Sequence, residues 1–588
     1  MATDRISRQT AAWALGAICV VGVGLRVYGL GFGLPDIHNP DEVPILNRAL
    51  TIASTGPHLK NFLYPSLYLY ASFAWQGGLF LLGRVLGWYH SVADFERAFF
   101  IDPSRHFVAA RALTALFGAL TIPAVYVFGQ RLYGRAVGLG AALLLAVAPF
   151  AVRDAHYVKM DVPVALFVVL AHATLAAIVT DPARAARRRT WLVAGLWAGL
   201  AMSTQYYAIF VVVPIVAVAA ADVRRSGRWQ TSAHLLVWAG LGACLGFVAT
   251  SPYFLIEIPT VIRDFRGLRE ADIDRAVVSG AFASLGSYLT MLSSDAAGWP
   301  VFATGIAGMA LALVSDWRRG LLLVTFALPF LAFVSNTYPE SRYVNVVIPI
   351  MCVAAAYAIA RAVAVKSTQR FWIIAATVIW AGLVPLPGLA ASIRWDRFLQ
   401  QDDTRTQARH FIEREIPAGA TVLLQPHGVP LRQSREGLLE ALRANLGSPA
   451  RASIKFQEQI ALDPYPAPAY RTIFLGSGGH DADKIYVTTA SLDAGFAHSP
   501  ARAMGVQYVV LERYTVGGSP ALRRLAVDLG RPGGHATRIA EFSPYRADAG
   551  PDVPATVAPF FHNTAARMNP ALERPGPIID IWRIDPWN

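Results

Sequence analysis

The sequence predicts a mainly α, polytopic membrane protein of about eleven spans, followed by a smaller α/β domain outside the membrane. Three observations carry this. Of 588 residues, 54% are hydrophobic and only 15% charged, with a mean hydropathy of +0.40; a soluble domain is about a quarter charged. Apolar runs recur up to about residue 391 and then stop. The basic residues behind the net charge of +13 sit in short clusters between those runs. That is a pattern of membrane topology, not of a nucleic-acid surface.

The candidate spans are about 11–30, 107–129, 134–150, 161–179, 190–204, 206–221, 233–250, 300–315, 320–336, 343–361 and 371–391. The first lacks a small-residue cleavage site and reads as an uncleaved helix. Residues 68–88 are apolar enough to raise the question of a further span, and charge decides it. With the N-terminus (Arg5, Arg8) inside and 68–88 uncounted, the clusters Arg131/Arg135, Arg184/Arg187/Arg188/Arg189, Arg224/Arg225/Arg228, Arg318/Arg319 and Arg361/Lys366/Arg370 all fall on the cytoplasmic side, as the positive-inside rule requires. Counting 68–88 would turn every later cluster outward. Residues 31–106 therefore read as a long first outer loop, with 68–88 along the membrane surface and its Tyr and Trp residues at the interface.

The membrane part is taken as residues 1–392 and an extracytoplasmic domain as 393–588. In the second, Thr404 to Glu415 has amphipathic helix spacing, with Ala408, Phe411 and Ile412 on one side. The runs 421–424, 472–475, 484–487, 507–511 and 578–582 look like strands bounded by Gly and Pro turns. Cys19, Cys244 and Cys352 each lie in an apolar run and offer neither a disulfide framework nor metal-ligand spacing.

The chemistry is expected in the outer loops. His38-Asn39-Pro40-Asp41-Glu42 places two carboxylates just after the first span, and Lys60, Tyr64 and Tyr68 follow. Sugar transfer from a phosphate-linked donor needs a general base for the acceptor hydroxyl, positive groups for the leaving phosphate and alignment of the two. Asp41 or Glu42 can supply the base. Lys60, Arg111, Arg153, Lys159 and Arg342 are cations at outer helix ends, where a polyprenyl phosphate would lie. Asn39-Pro40-Asp41-Glu42 is also good helix-start chemistry, and the two readings are compatible. Asp161 opens a span beside Lys159, Arg153 and His156, a polar cluster at costly depth. Gln205 sits at an outer turn, and Arg342-Tyr343 begins a span. No Gly-rich loop precedes Lys-Ser/Thr and no HExxH occurs, which argues against an ATPase and a zinc protease.

In order and spacing, His38-x-x-Asp41-Glu42, Tyr64-Pro65-Ser66-Leu67-Tyr68, Arg111 and Arg153…Asp161-Val162-Pro163 resemble the GT-C membrane glycosyltransferases. The branch is the family 39-like one of protein O-mannosyltransferases and aminoarabinose transferases. The resemblance implies an inverting transferase using a polyprenyl-phosphate sugar at the periplasmic or lumenal face. It implies Asp41 as base with Glu42 beside it, and Asp161 as the second-loop acid. Tyr64, Arg111, Arg153, His156, Lys159, Gln205, Arg342 and Tyr343 are the expected substrate and phosphate contacts. Many relatives carry Lys where this chain has Gln205, so Lys60 or Lys159 is expected to take that place. The tail has no repeated β-trefoil motif.

The expected partners are thus a polyprenyl-phosphate-linked sugar, a lipid, glycan or protein acceptor, and membrane lipid, with no nucleic acid. The expected site of action is the bacterial inner membrane, with the N-terminus cytoplasmic and the tail periplasmic. Mg²⁺ or Mn²⁺ on Asp41, Glu42 and Asp161 is left open. The alternatives are a lipid-linked sugar transporter or flippase, and a polysaccharide ligase or polymerase.

Overall fold

The computed structural model describes residues 6–585, apart from 276–279, 365–374, 376–377, 379, 381, 477–480, 489–490, 492–498, 515–519, 532–535 and 559–567. Helix α1 (Arg8–Val27) is followed by three helices of the first loop, α2 (Glu42–Thr55), α3 (Leu67–Val85) and α4 (Val92–Ile101). The bundle continues through α5 (Ser104–Tyr133), α6 (Arg135–Ala146), α7 (Asp161–Thr180), α8 (Arg188–Met202), α9 (Tyr206–Ser226) and α10 (Trp229–Thr250). It closes with α11 (Trp299–Ser315), α12 (Trp317–Val334), α13 (Ile348–Val363) and α14 (Pro385–Leu399).

Among the described residues, six helices are long and apolar enough to cross a membrane, or eight if two bent pairs each count as one span. The bent pairs are α6 with Pro149–His156 (61°) and Leu285–Ala296 with α11 (118°). This is fewer than the eleven apolar runs. Helices α8 (15 residues) and α13 (16 residues) are shorter than a spanning helix ordinarily is, and part of the 371–391 run lies outside the described residues. The chain is a mainly helical, integral membrane protein with a C-terminal α/β domain.

Helix α3 is not among the spans, and its flanks explain why it need not be. Tyr28, just past α1, offers its carbonyl to His156 at 2.9 Å. Arg111, near the start of α5, donates to Leu30 O at 2.9 Å. The chain therefore leaves α1 and enters α5 at one end of the bundle. The basic loops gather at the other end: Arg135 reaches Ile6 O, Arg131 reaches Ala173 O, and Arg224 stacks on Trp317.

Helices α8 and α10 pack backbone on backbone. A Cβ on Gly195 or Gly199 would lie 1.8 Å from Ala239 O or 2.1 Å from Ala243 O, and one on Gly242 would lie 2.0 Å from Leu192 O. Small residues four apart allow this approach where apolar burial cannot drive helices together. Gly195→Val is expected to destabilise the protein by roughly 1–3 kcal/mol, the cost of an overpacked site, seen as a lower apparent Tm in detergent. A wild-type Tm would mean that the crossing is not this tight.

The C-terminal domain starts with α15 (Thr404–Glu415) and holds a six-stranded sheet of order β3-β2-β1-β4-β6-β5. Its strands are β1 (Thr421–Leu424), β2 (Arg471–Leu475), β3 (Tyr486–Val487), β4 (Tyr508–Arg513), β5 (Ala536–Phe542) and β6 (Ile578–Ile584). The first four are parallel, and β6 runs antiparallel to both β4 and β5. Leu423, Val509 and Leu511 face one apolar layer, while Val422, Leu424 and Val510 face Ala408 and Ile412 of α15 on the other. Both faces are covered, which suits apolar parallel strands. Strand β5 escapes a sequence reading because it is a half-exposed edge carrying Arg538 and Glu541.

Glu512 of β4 is 9% exposed, with one carboxyl oxygen lacking a hydrogen-bond partner among the described residues. Burial pushes its carboxyl up to about 7 from an ordinary 4.5, against the pull of Arg405. A raised folded-state pKa gives stability that is full below about 4.5 and lost as pH rises through about 7. Glu512→Gln is therefore expected to raise Tm at pH 8 and to flatten the Tm–pH curve between those values. Parallel curves for the two proteins would contradict it.

Candidate active site

The two adjacent carboxylates part company at the start of α2. Asn39 Oδ1 accepts from the Asp41 N–H at 3.0 Å, and the helix begins at Glu42. Successive helical residues point about 100° apart, so one acid faces inward and the other stays near the surface. Glu42 is fully buried. Arg111 Nε and Nη2 donate to its two oxygens at 2.9 and 2.8 Å, and the Val158 N–H adds a third bond at 2.9 Å. The remaining Arg111 nitrogen, Nη1, donates to Leu30 O and Phe32 O, and the guanidinium lies over the Phe32 ring at 3.9 Å.

Asp41 keeps 28% of its side chain exposed. Its Oδ2 meets two cations from distant parts of the chain. Lys159 comes from the loop before α7, and Arg342 from the 3-10 turn Ser341–Val346 at 3.3 Å. Arg342 also pairs with Glu340. Burial pushes the Lys159 ammonium below its usual value, and neighbouring Arg342 adds to that. Burial pushes the Glu340 carboxyl up, against Arg342 and Lys159. Behind them Tyr207 donates to Asp161 Oδ1 at 3.2 Å, and the Tyr207 and Tyr343 rings sit 5.6 Å apart, edge to face. Tyr64 is half-buried, with Arg48 over its ring at 5.5 Å and Asp41 within electrostatic reach.

A buried layer holds the turn that carries Arg342. Arg153 Nε donates to Asp154 Oδ1 at 2.6 Å and Nη2 to Ser341 Oγ at 3.1 Å. Asn345 donates to Asp154 Oδ2 at 2.6 Å. The Arg153 guanidinium lies on the Phe150 ring at 3.8 Å. His156 places its ring nitrogens 3.0 Å from Val152 O and 2.9 Å from Tyr28 O.

The structure thus brings Asp41, Lys159, Arg342, Asp161, Tyr343 and Tyr64 to one place. Glu42, Arg111, Arg153 and His156 lie beneath it, with their polar atoms turned to the protein. For Arg111 this departs from the expected phosphate contact, because Nε, Nη1 and Nη2 are all engaged by protein acceptors. Lys60 is exposed in the first loop at φ 58°, and among the described residues no hydrogen bond or ion pair joins it to Asp41. Gln205 is half-buried at the start of α9. Asp41, Glu42 and Asp161, the acids left open as a Mg²⁺ or Mn²⁺ site, are not grouped together: Glu42 is engaged by Arg111, and no group of three His, Cys, Asp or Glu among the described residues is placed to hold a metal.

Residues 101–255 match the family described as dolichyl-phosphate-mannose-protein mannosyltransferase. That stretch carries Arg111, Arg153, Lys159, Asp161 and Gln205. Two solved structures share the architecture. One is the oligosaccharyltransferase AglB from Archaeoglobus fulgidus, in complex with an inhibitory peptide and a dolichol-phosphate, at TM-score 0.50 and 11% identity over 85% of this chain and 69% of that one. The other is ArnT from Cupriavidus metallidurans bound to undecaprenyl phosphate, at TM-score 0.50 and 13% identity over 91% of this chain and 97% of that one. The fold is GT-C. No curated protein matches the sequence.

The cluster around Asp41 includes residues that sequence reasoning missed. Glu340 stands two positions before Arg342, and Tyr207 two after Gln205, but nothing in their spacing singles them out. Asp154 and Asn345 carry no signal of their own in the sequence. Their role depends on a contact across 191 positions.

Proposed function

We propose that the chain is an inverting glycosyltransferase that moves a sugar from a polyprenyl phosphate to an acceptor hydroxyl at the end of the bundle where Asp41 lies. The observation that carries this is Asp41 itself, a part-exposed carboxylate bracketed by Lys159 and Arg342. Asp41 takes the proton of the acceptor hydroxyl. The acceptor oxygen attacks the anomeric carbon, the carbon–oxygen bond to the phosphate breaks, and the polyprenyl phosphate leaves against Lys159 and Arg342. Preorganised cations at a developing negative charge are the larger electrostatic contribution, and the base adds about 10²–10⁴-fold. Asp161, Tyr207 and Tyr343 shape the wall, and no step runs through a metal. The basic loops at the other end of the bundle favour a cytoplasmic N-terminus and an outward-facing site, in a bacterial inner membrane.

The test is an assay of the detergent-purified protein with a panel of radiolabelled polyprenyl-phosphate sugars and envelope extract, with and without EDTA. Labelled product insensitive to EDTA is expected. Tight donor binding without transfer from any monophosphate donor would favour a transporter or a diphosphate-donor enzyme, and loss with EDTA would put a metal in the site.

A further inference from the structure

The chain between α1 and α2, which ends at Asp41, has no regular secondary structure of its own. Its membrane-facing half is held by the bundle, through Arg111 on Leu30 O and Phe32 O and His156 at Tyr28 O. Its other half is held by the C-terminal domain. Thr406 Oγ1 donates to Asp36 Oδ2 at 3.2 Å and lies 2.9 Å from His38 Nε2. Arg409 Nε donates to the same Asp36 oxygen at 3.1 Å. Arg405 Nη1 lies 3.5 Å from both His38 O and His427 O, so it spans loop and domain. Just before α15, Gln400 Nε2 donates to Gly29 O at 3.0 Å; Gly29, at φ 77°, has no room there for a Cβ.

The holding residues are themselves fixed. Asp403 accepts from Arg405 Nε and Nη2 at 2.8 and 2.7 Å and from its backbone N–H at 2.9 Å. The Thr404 hydroxyl donates to Pro577 O at 2.7 Å beside β6. Burial pushes the His38 imidazole down to about 3, so the ring is neutral. With its proton on Nε2 it donates to Thr406, which donates to Asp36. His38 is three residues from Asp41, no more than about 11 Å along the chain.

We propose that Thr406 and Arg409 of α15 are positioning residues for transfer, and that the C-terminal domain is a working part of the catalytic unit because it fixes the loop that aims Asp41. This rests on the function proposed above for Asp41. A displacement of about 1 Å at a reacting group costs on the order of 10²-fold in rate. A hydrogen-bonded hold three residues from the base, at His38, and an ionic one five residues from it, at Asp36, are therefore worth that much only while they are closed.

The experiment compares full-length protein with Thr406→Ala/Arg409→Ala and with Arg409→Lys, in detergent. Two readouts are taken: hydrogen exchange of backbone amides 33–41, and kcat and donor KM for sugar transfer. Faster exchange in 33–41 is expected in the double variant, with kcat at least tenfold lower, donor KM within twofold and most activity kept in Arg409→Lys. Unchanged exchange in 33–41 would overturn the proposal, and so would a kcat within twofold of wild type. Faster exchange throughout the chain would also overturn it, since the residues would then be merely structural. If the wild type transfers no sugar while exchange in 33–41 still responds, the functional reading of Asp41 fails and the hold on the loop stands.

Discussion

Asp41→Asn is expected to lower kcat by about 10²–10⁴-fold, the contribution of a general base, and to leave the protein folded. The amide has nearly the carboxylate's shape but cannot accept the hydroxyl proton. Lys159 loses its nearest partner, yet Asp161 remains within electrostatic reach of it. Asp41 is also part-exposed, so water screens much of what the pair contributes to stability. Donor affinity should fall little or rise, because Lys159 and Arg342 are released from one negative charge. The measurement is transfer rate against donor binding, with apparent Tm as the control. Wild-type turnover in Asp41→Asn would remove Asp41 as the base.

Glu42→Gln, one residue along, is expected to do the opposite. It should cost about 3–5 kcal/mol of stability, the range for breaking a buried pair by removing one partner, because Arg111 is 1% exposed and would be left as an uncompensated charge. Poor recovery of monodisperse protein and a Tm far below that of Asp41→Asn are the expected readouts. Arg111→Lys should not rescue a wild-type Tm, since an ammonium cannot donate to both Glu42 oxygens and to Leu30 O and Phe32 O in one plane. Replacing both partners with neutral residues of similar volume should recover part of the loss. A Glu42→Gln protein as stable as wild type would mean that the pair supports catalysis and not the fold.

These two isosteric changes separate what the sequence could say from what it could not. The helical bundle, the distinct tail, α15 over Thr404–Glu415 and five of the six strands were legible, because hydropathy and apolar period are properties of neighbouring residues. Asp41, Lys159, Asp161 and Arg342 stood out singly as polar groups at helix ends, where such groups are costly near a membrane. Their division of labour did not. Asp41 and Glu42 are equal in sequence; they differ because Arg111, 69 positions away, takes one, while Arg342, 301 positions away, meets the other at the surface. Glu340 and the hold of Thr406 and Arg409 on Asp36 were hidden for the same reason. By itself the sequence determined which segments are apolar and which residues carry charge, and so the class of fold and the neighbourhood of the candidate site. Only the tertiary structure decided which carboxylate is left open and which is locked. Burial and ion pairing are set by partners from remote segments, and no local pattern records them.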